Sequence, residues 1–371
     1  MQMQTEIIKI IEGGLNKNKD KVLSYAQLLA DKLRENGEIQ FADRVSTLLS
    51  KNTVHPVYLD EFLTKPIDSD SRLDMVDVSM PDSSFEEIVL SEVTKTKIET
   101  YIESLDHRSE FLKLGIDLPE SLLLYGPPGC GKTTLAHYIS YKTKLPLITA
   151  KLDGLVSSLL GSTAKNIRKI FDYAKERPCI LFLDEFDAIA KARNDEHEVG
   201  ELKRVVNSLL QNIDDFNNGS NILIAATNHE KLLDPAVWRR FSTTIEISKP
   251  GKNEILKMVQ NFTNKVSCDF CSEQKKMNTI ANILIGHSPS DIKNICFNTI
   301  RKQIMNGNQS ITYSSMLYQI AMYKKNHDDN SSIIHFLNEN GVSQADIAET
   351  LSISMRQVRK ILSNQEDELN E

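Results

Sequence analysis

The chain has 371 residues, enough for two or three domains, and its 44 Lys and Arg stand against 51 Asp and Glu for a net charge of −7. That balance supplies no global basic field for nucleic acid, and no apolar run is long enough to cross a bilayer. The start, MQMQTEIIKII, lacks a basic-then-apolar export pattern, and five cysteines, an odd number, suit a reducing cytoplasm better than a disulfide scaffold.

Residues 1–52 read as a helical domain. Val22, Leu23, Tyr25, Ala26, Leu28, Leu29 and Leu33 recur at helical spacing, and Asn36-Gly37 is a stop signal. Ile39, Phe41, Ala42, Val45, Leu48 and Leu49 supply a second apolar face, and there is room for a third helix before both. Residues 53–83 hold Pro56, Pro66, Pro81 and the polar run Asp68-Ser69-Asp70-Ser71, and read as a linker or extended arm.

The next stretch carries chemistry. Leu122 to Tyr125 is an apolar strand that runs through Gly126-Pro127-Pro128-Gly129-Cys130-Gly131 into Lys132-Thr133-Thr134 and a helix. The glycines let backbone N–H groups turn inward around phosphates, and the helix N-terminus adds positive dipole. Lys132 can reach the β- and γ-phosphates of a nucleoside triphosphate, and the Thr133 hydroxyl suits Mg²⁺, a hard ion that takes oxygen ligands. A second strand is expected over Leu145 to Ala150, then a helix from Thr163 to Glu176. Cys179 to Leu183 reads as a buried parallel strand ending in Asp184-Glu185. Asp184 sits where a carboxylate holds the Mg²⁺ water shell, and Glu185 where a base polarises the attacking water. Asn221 to Ala226 is a further strand, and Asn228 at its end can help position that water.

These segments resemble the AAA ATPases of the wider AAA+ group. GPPGCGKT is similar to their Walker A motif, ILFLDEFDAI to Walker B, IAATN to sensor 1, LLDPAVWRRF to the arginine-finger region and GHSPSDI to the motif of the small helical lid. The resemblance spans roughly Phe85 to Lys325 and implies a self-assembling ring, usually a hexamer, with ATP between neighbours. It implies base recognition by the backbone near Glu87, Ile88 and Val89. It places Leu159 and Leu160 in a pore loop whose first position is aromatic in protein-threading rings; leucine keeps apolar contact but loses the flat face. Leu159 is otherwise a core residue of a strand–helix junction. Lys191 to Gly200 is either a second pore loop or a solvated connection.

Arg239 and Arg240 occupy the finger position, where a planar, permanently charged guanidinium neutralises transition-state charge in a neighbour's site. The adjacent pair, followed by Phe241-Ser242, is closer to the microtubule-severing branch and to small bacterial AAA proteins than to the usual G-R-F-D pattern. Pro289 and Ser290 replace the usual Gly-Ala of the lid motif, and no arginine stands at the sensor 2 position used by replication initiators and clamp loaders. Cys268 and Cys271 form a lone C-x-x-C without the second pair that a four-ligand zinc site needs, so two free thiols are expected.

The last segment is a different kind of unit. SQADIAETLSISMRQVRKIL, Ser343 to Leu362, fits a helix-turn-helix: Ala348 permits the tight crossing, Ile347 and Leu351 face inward, and Val358 and Ile361 anchor the second helix. Ser354, Arg356, Gln357 and Arg359 then lie on or near its outward face, types suited to DNA phosphates and base edges. Such a unit docks proteins as readily, and the tail Glu366-Asp367-Glu368 is acidic.

The expected architecture is therefore an α/β P-loop sheet with helices on both faces (84–249), a helical lid (250–326), a helix-turn-helix (330–363) and an acidic tail (364–371). The expected function is Mg²⁺-dependent ATP hydrolysis in a cytoplasmic ring that remodels a protein substrate. The alternative is a DNA-bound ATP switch. The chain also resembles small bacterial AAA proteins found beside subtilisin-like serine proteases in defence systems. It contains no H-E-x-x-H or G-x-S-x-G of its own, so any proteolysis belongs to a partner.

Overall fold

In a computed structural model of the chain, the described residues are 4–15, 19–50, 65–68, 74–114, 120–150, 152, 160–190, 199–217, 221–323 and 330–368. The expected pore residue Leu159, the segment 191–198 and residues 53–64 of the expected linker lie outside them. The chain divides into two compact units, Met1–Thr64 and Lys65–Glu371. No helix among the described residues is long and apolar enough to cross a membrane.

Among the described residues the first unit has three helices: α1 (Gln4–Leu15), α2 (Lys19–Glu35) and α3 (Ile39–Ser50). Its core is Leu29, Leu33 and Ala42, with Ile10 and Val45 against them. Gly37, at φ 84°, reverses the chain between α2 and α3, as the Asn36-Gly37 pair predicts.

The second unit is built on a six-stranded sheet in the order β1-β3-β4-β5-β2-β6. Its strands are β1 (Val76–Ser79), β2 (Ser121–Tyr125), β3 (Leu147–Ala150), β4 (Ile180–Leu183), β5 (Ile222–Thr227) and β6 (Thr243–Glu246). All neighbours are parallel except β1, which pairs antiparallel with β3 at the edge. The residues of β4 and β5 are all buried, which is why these segments read as unbroken apolar runs rather than alternating ones. Helices α4 (Glu92–Asp106), α5 (Lys132–Thr143), α6 (Leu160–Lys175) and α7 (Val199–Asn217) connect them. Leu160 of the expected pore loop opens α6. With β2 between β5 and β6, the loops after β2, β4 and β5 meet at the carboxyl ends of neighbouring strands, where open α/β sheets bind ligands.

The stretch expected to be linker contributes β1, with Met75 and Val76 buried. Asp68 is buried too, and its carboxylate accepts from Asn166 Nδ2 at 2.8 Å. Four residues with two apolar side chains, set among prolines and serines, are too short a signal to stand out from sequence.

After β5 come a short helix α8 (Pro235–Trp238) and β6; then the lid, α9 (Lys252–Thr263), α10 (Gln274–Leu284), α11 (Pro289–Met305) and α12 (Tyr313–Tyr323). Three more helices follow: α13 (Asn330–Glu339), α14 (Gln344–Leu351) and α15 (Met355–Glu368). They share one apolar core with the lid: Ile333, Ile334, Leu337, Ile347 and Val358 pack in the same cluster as Met316, Leu317 and Ile320. The acidic Glu366-Asp367-Glu368, expected in a separate tail, continues α15.

The expected free thiols of the C-x-x-C are not free: Cys268 and Cys271 form a disulfide. The turn between them, which buries Phe270, brings their Cα atoms to 5.6 Å, within disulfide reach. Sequence spacing does not encode that turn. Cys130, Cys179 and Cys296 are free and buried.

Candidate active site

The loop between β2 and α5 is shaped by its glycines. Gly126, Gly129 and Gly131 all have positive φ, which keeps the backbone curled around a space at the start of α5. A Cβ on Gly126 would collide with the Ile247 carbonyl beyond β6. Lys132 opens α5 and is buried; its Nζ donates to the carbonyls of Gly126 at 2.7 Å and Pro127 at 2.9 Å. Burial pushes the Lys132 pKa down, with nearby Cys130 and Asp184 opposing. The ammonium is thus held inside the curl, where phosphate oxygens are the natural competitors for its protons. Thr133 and Thr134 are exposed on the first turn of α5. Cys130 is buried within the loop, and its thiol pKa is raised by that burial, which makes it a poor nucleophile.

The ends of β4 and β5 stand beside the loop. Thr133 Oγ1 donates to Asp184 Oδ2 at 2.8 Å. A hydroxyl and a carboxylate side by side are hard oxygen donors, and the pair fits Mg²⁺. Among the described residues no group of three or more His, Cys, Asp or Glu makes a metal cage. The ion that suits such a sparse site is one that takes its remaining ligands from water and phosphate, as Mg²⁺ does. Glu185 is exposed and sits at φ 50°, a left-handed conformation that costs a non-glycine residue of the order of 1–3 kcal/mol. Its N–H donates to its neighbour Asp184 Oδ1 at 2.9 Å, which helps hold the bend.

Asp187 was not singled out by sequence, yet it ties the two strand ends together. This buried carboxylate accepts from Thr227 Oγ1 at 3.0 Å and from the Asn228 N–H at 3.4 Å, while Phe186 N–H donates to Ala226 O at 2.9 Å. The Asn228 backbone is thereby fixed against Asp187, two residues on from Glu185. The available signal was the carboxylate two residues beyond Glu185 on a segment otherwise apolar, since a buried charge requires partners.

The lid reaches the loop through α11. Ser288 caps that helix and exchanges hydrogen bonds with Asp291, with Pro289 at the first helical position. Ser290 N–H then donates to Gly129 O at 3.1 Å. A Cβ on Gly129 would stand 2.8 Å from Ser288 Oγ and 3.2 Å from Ser290 Cβ, at φ 73°. Gly129→Ala is therefore expected to force lid and loop apart and to weaken nucleotide binding by about tenfold or more, since 1.4 kcal/mol is a factor of ten. A nucleotide titration checks it; unchanged affinity would show that the lid contact does not matter for binding. Ile88 lies at the seam of sheet and lid, where it lines a cavity of about 340 Å³ with Glu87, Val89, Tyr138, Lys142 and Asn261.

Residues 122–249 match the family described as "ATPase family associated with various cellular activities (AAA)". The chain is 37% identical over 236 residues to an uncharacterized AAA family ATPase, y4kL, of Sinorhizobium fredii, covering 64% of this chain and 70% of that one. The chain belongs to the AAA ATPases. It is also 37% identical over 241 residues to proteasome-activating nucleotidase 1 of Haloferax volcanii, covering 63% of this chain and 58% of the relative. With the proteasome-activating nucleotidase of Methanococcus maripaludis the identity is 38% over 226 residues, 58% of this chain and 54% of the relative. The chain thus spans little more than half the length of these two nucleotidases.

The AAA ATPase is an ATP-hydrolysing enzyme with a mostly parallel α/β core, as its sequence motifs imply. Lys132, Thr133, Asp184, Glu185 and Asn228 gather at one end of its sheet. The two arginines part company. Arg239 is exposed and has no hydrogen-bond or ion-pair partner among the described residues, whereas the Arg240 guanidinium pairs with Asp214 of α7. At the start of α15, Gln357 Oε1 accepts from the N–H and hydroxyl of Ser354, so its amide oxygen is engaged locally. Arg356 and Arg359 remain on the exposed face, Arg359 Nε within 3.4 Å of Gln344 Oε1.

Proposed function

We propose that this AAA ATPase works as a ring, hexameric in the usual arrangement of the family, that hydrolyses ATP between neighbouring copies to remodel or unfold a protein substrate. In hydrolysis a water oxygen forms a bond to the γ-phosphorus as the bond to the β,γ-bridging oxygen breaks. Glu185 orients that water and draws off its proton, Asn228 fixes it from the side, and Lys132 neutralises the phosphate oxygens. Mg²⁺, held by Thr133 and Asp184, supplies further charge neutralisation when bound. Ile88 and Val89 offer backbone groups to the base. The observation that carries the ring is the exposed Arg239, which has no hydrogen-bond or ion-pair partner among the described residues, while the cation buried in the phosphate loop is Lys132. Similarity to two relatives named as proteasome-activating nucleotidases supports a protein substrate handed to a separate protease. A subtilisin-like serine protease in a cytoplasmic defence system is the partner class that the sequence resemblance favours.

A second reading has its own observation. Helices α13 to α15 follow one another through short turns, with Ser352 in left-handed conformation at φ 53° between α14 and α15, an arrangement that supports reading them as a helix-turn-helix. Its charges are sorted: Asp346 and Glu349 of α14 line a cavity of about 310 Å³ that Lys276 and Lys302 of the lid also line, while Arg356, Arg359 and Lys360 are exposed on α15. In this reading the unit grips DNA and hydrolysis resets an assembly. One experiment separates the two. Under the remodelling reading, ATPase rate rises with an unfolded polypeptide, and Leu159→Ala removes that rise while leaving the basal rate. Under the switch reading, duplex DNA raises it instead, and Arg356→Ala/Arg359→Ala reduces the salt slope of DNA binding by about two units. A rate indifferent to polypeptide and sensitive to DNA would replace the first reading with the second.

A further inference from the structure

The family resemblance leaves open which of Arg239 and Arg240 touches the γ-phosphate, and the structure treats them differently. Arg240 is committed inward on every side. Its Nη2 donates to Asp214 Oδ2 at 2.9 Å, its Nε lies 2.8 Å from Asp214 Oδ1, and its Nη1 donates to Ala236 O at 2.7 Å. Its backbone is fixed as well: the carbonyl accepts from Asn217 Nδ2 at 2.8 Å and from Ser121 Oγ at 3.1 Å. Asp214 and Asn217 lie on α7, and Ser121 opens β2, the strand that leads into the phosphate loop. Ser242, two residues on from Arg240, returns a hydroxyl to Ser121 O at 2.9 Å. On the other side of Arg239, Trp238 meets Tyr125 edge-on at 5.2 Å between ring centroids, and Tyr125 precedes Gly126. Arg239 therefore emerges from a turn clamped at both flanks onto the frame that carries the nucleotide loop.

We infer that Arg240 is a positioning residue, clamped by Asp214 to set the turn from which Arg239 alone reaches into the neighbouring copy's site. This rests on the ring reading above. Two of its N–H groups hold Ala236 O and Asp214 Oδ2 and its Nε lies against Asp214 Oδ1, so swinging the guanidinium out to a phosphate would break the clamp. The ion pair is partly exposed, with side-chain exposures of 26% and 49%, so its worth lies in geometry rather than in Coulomb energy. Geometry is what a finger requires, because misplacing a transition-state contact by about 1 Å costs about 10²-fold in rate.

The test is a double-mutant cycle on hydrolysis by the assembled full chain at saturating ATP, with nucleotide affinity and melting temperature measured alongside. Asp214→Ala and Arg240→Ala are expected to lower kcat alike, by about 10²-fold, with nucleotide affinity kept. The double variant is expected to be no worse than either single, since both break one clamp. The swapped pair Asp214→Arg/Arg240→Asp is expected to recover part of the loss. Asp214→Asn, which keeps size and one acceptor oxygen, carries the cycle if the alanine variant does not fold. Loss in Arg240→Ala with wild-type rates in the Asp214 variants overturns the inference and makes Arg240 a second finger, as would additive effects. Wild-type rates in Arg239→Ala would sink the ring reading beneath it, a separate result.

Discussion

Glu185→Gln is expected to bind ATP as the native chain does and to lose about 10²–10⁴-fold in turnover, the usual contribution of a positioned general base. Glutamine is nearly isosteric and keeps the backbone bend at φ 50°, so the loss reads the proton acceptor rather than the fold. Asp184 and Thr133, which hold each other at 2.8 Å, are untouched by the change, and so is Lys132. Equilibrium titration with ATP gives the binding half and single-turnover hydrolysis gives the chemical half. Equal turnover in variant and native protein would remove Glu185 from its role and shift attention to Asp187 or to a group brought by the neighbour.

Why this site was legible in sequence follows from how it is made. Its parts are backbone-determined: glycines that must take positive φ at 126, 129 and 131, a helix that must start at Lys132, and apolar strands whose last residues must emerge where the others do. Each leaves a local mark, and the parallel sheet then aligns the marks at one edge without further instruction. What sequence did not carry depends on long-range partners. Asp187 reads as one more acidic residue until Thr227 and Asn228, some 40 positions on, are folded against it. Arg239 and Arg240 are neighbours of identical chemistry, and only Asp214, 26 residues upstream, tells them apart. The edge strand at Val76–Ser79 is recognisable only because Leu147–Ala150 lies beside it. The last three helices show the intermediate case: Ile347, Ala348, Leu351, Val358 and Ile361 mark their apolar faces in sequence, but their fusion with the lid core through Met316, Leu317 and Ile320 has no signature in either segment alone.

The second large effect concerns the neighbour. Arg239→Ala is expected to lower kcat by about 10³–10⁵-fold, the worth of an arginine finger elsewhere, while each copy still binds ATP. The reason is positional: an exposed guanidinium with no partner among the described residues is free to act on a site in another copy, as the proposed ring requires. Mixing supplies the decisive measurement. Arg239→Ala copies retain Glu185, and Glu185→Gln copies retain Arg239, so each homogeneous ring is inactive for a different reason. Where the two meet in one orientation, an intact Glu185 faces an intact Arg239, and hydrolysis returns at those interfaces. The recovered rate is expected to peak at intermediate mixing ratios and to vanish at both extremes. Arg240→Ala copies mixed with Glu185→Gln copies are expected to recover in the same way, since a misplaced Arg239 is replaced by a well-placed one from the partner. No recovery at any ratio, with mixed rings demonstrated by mass, would mean that Arg239 serves its own chain, and the site would then be complete within one copy.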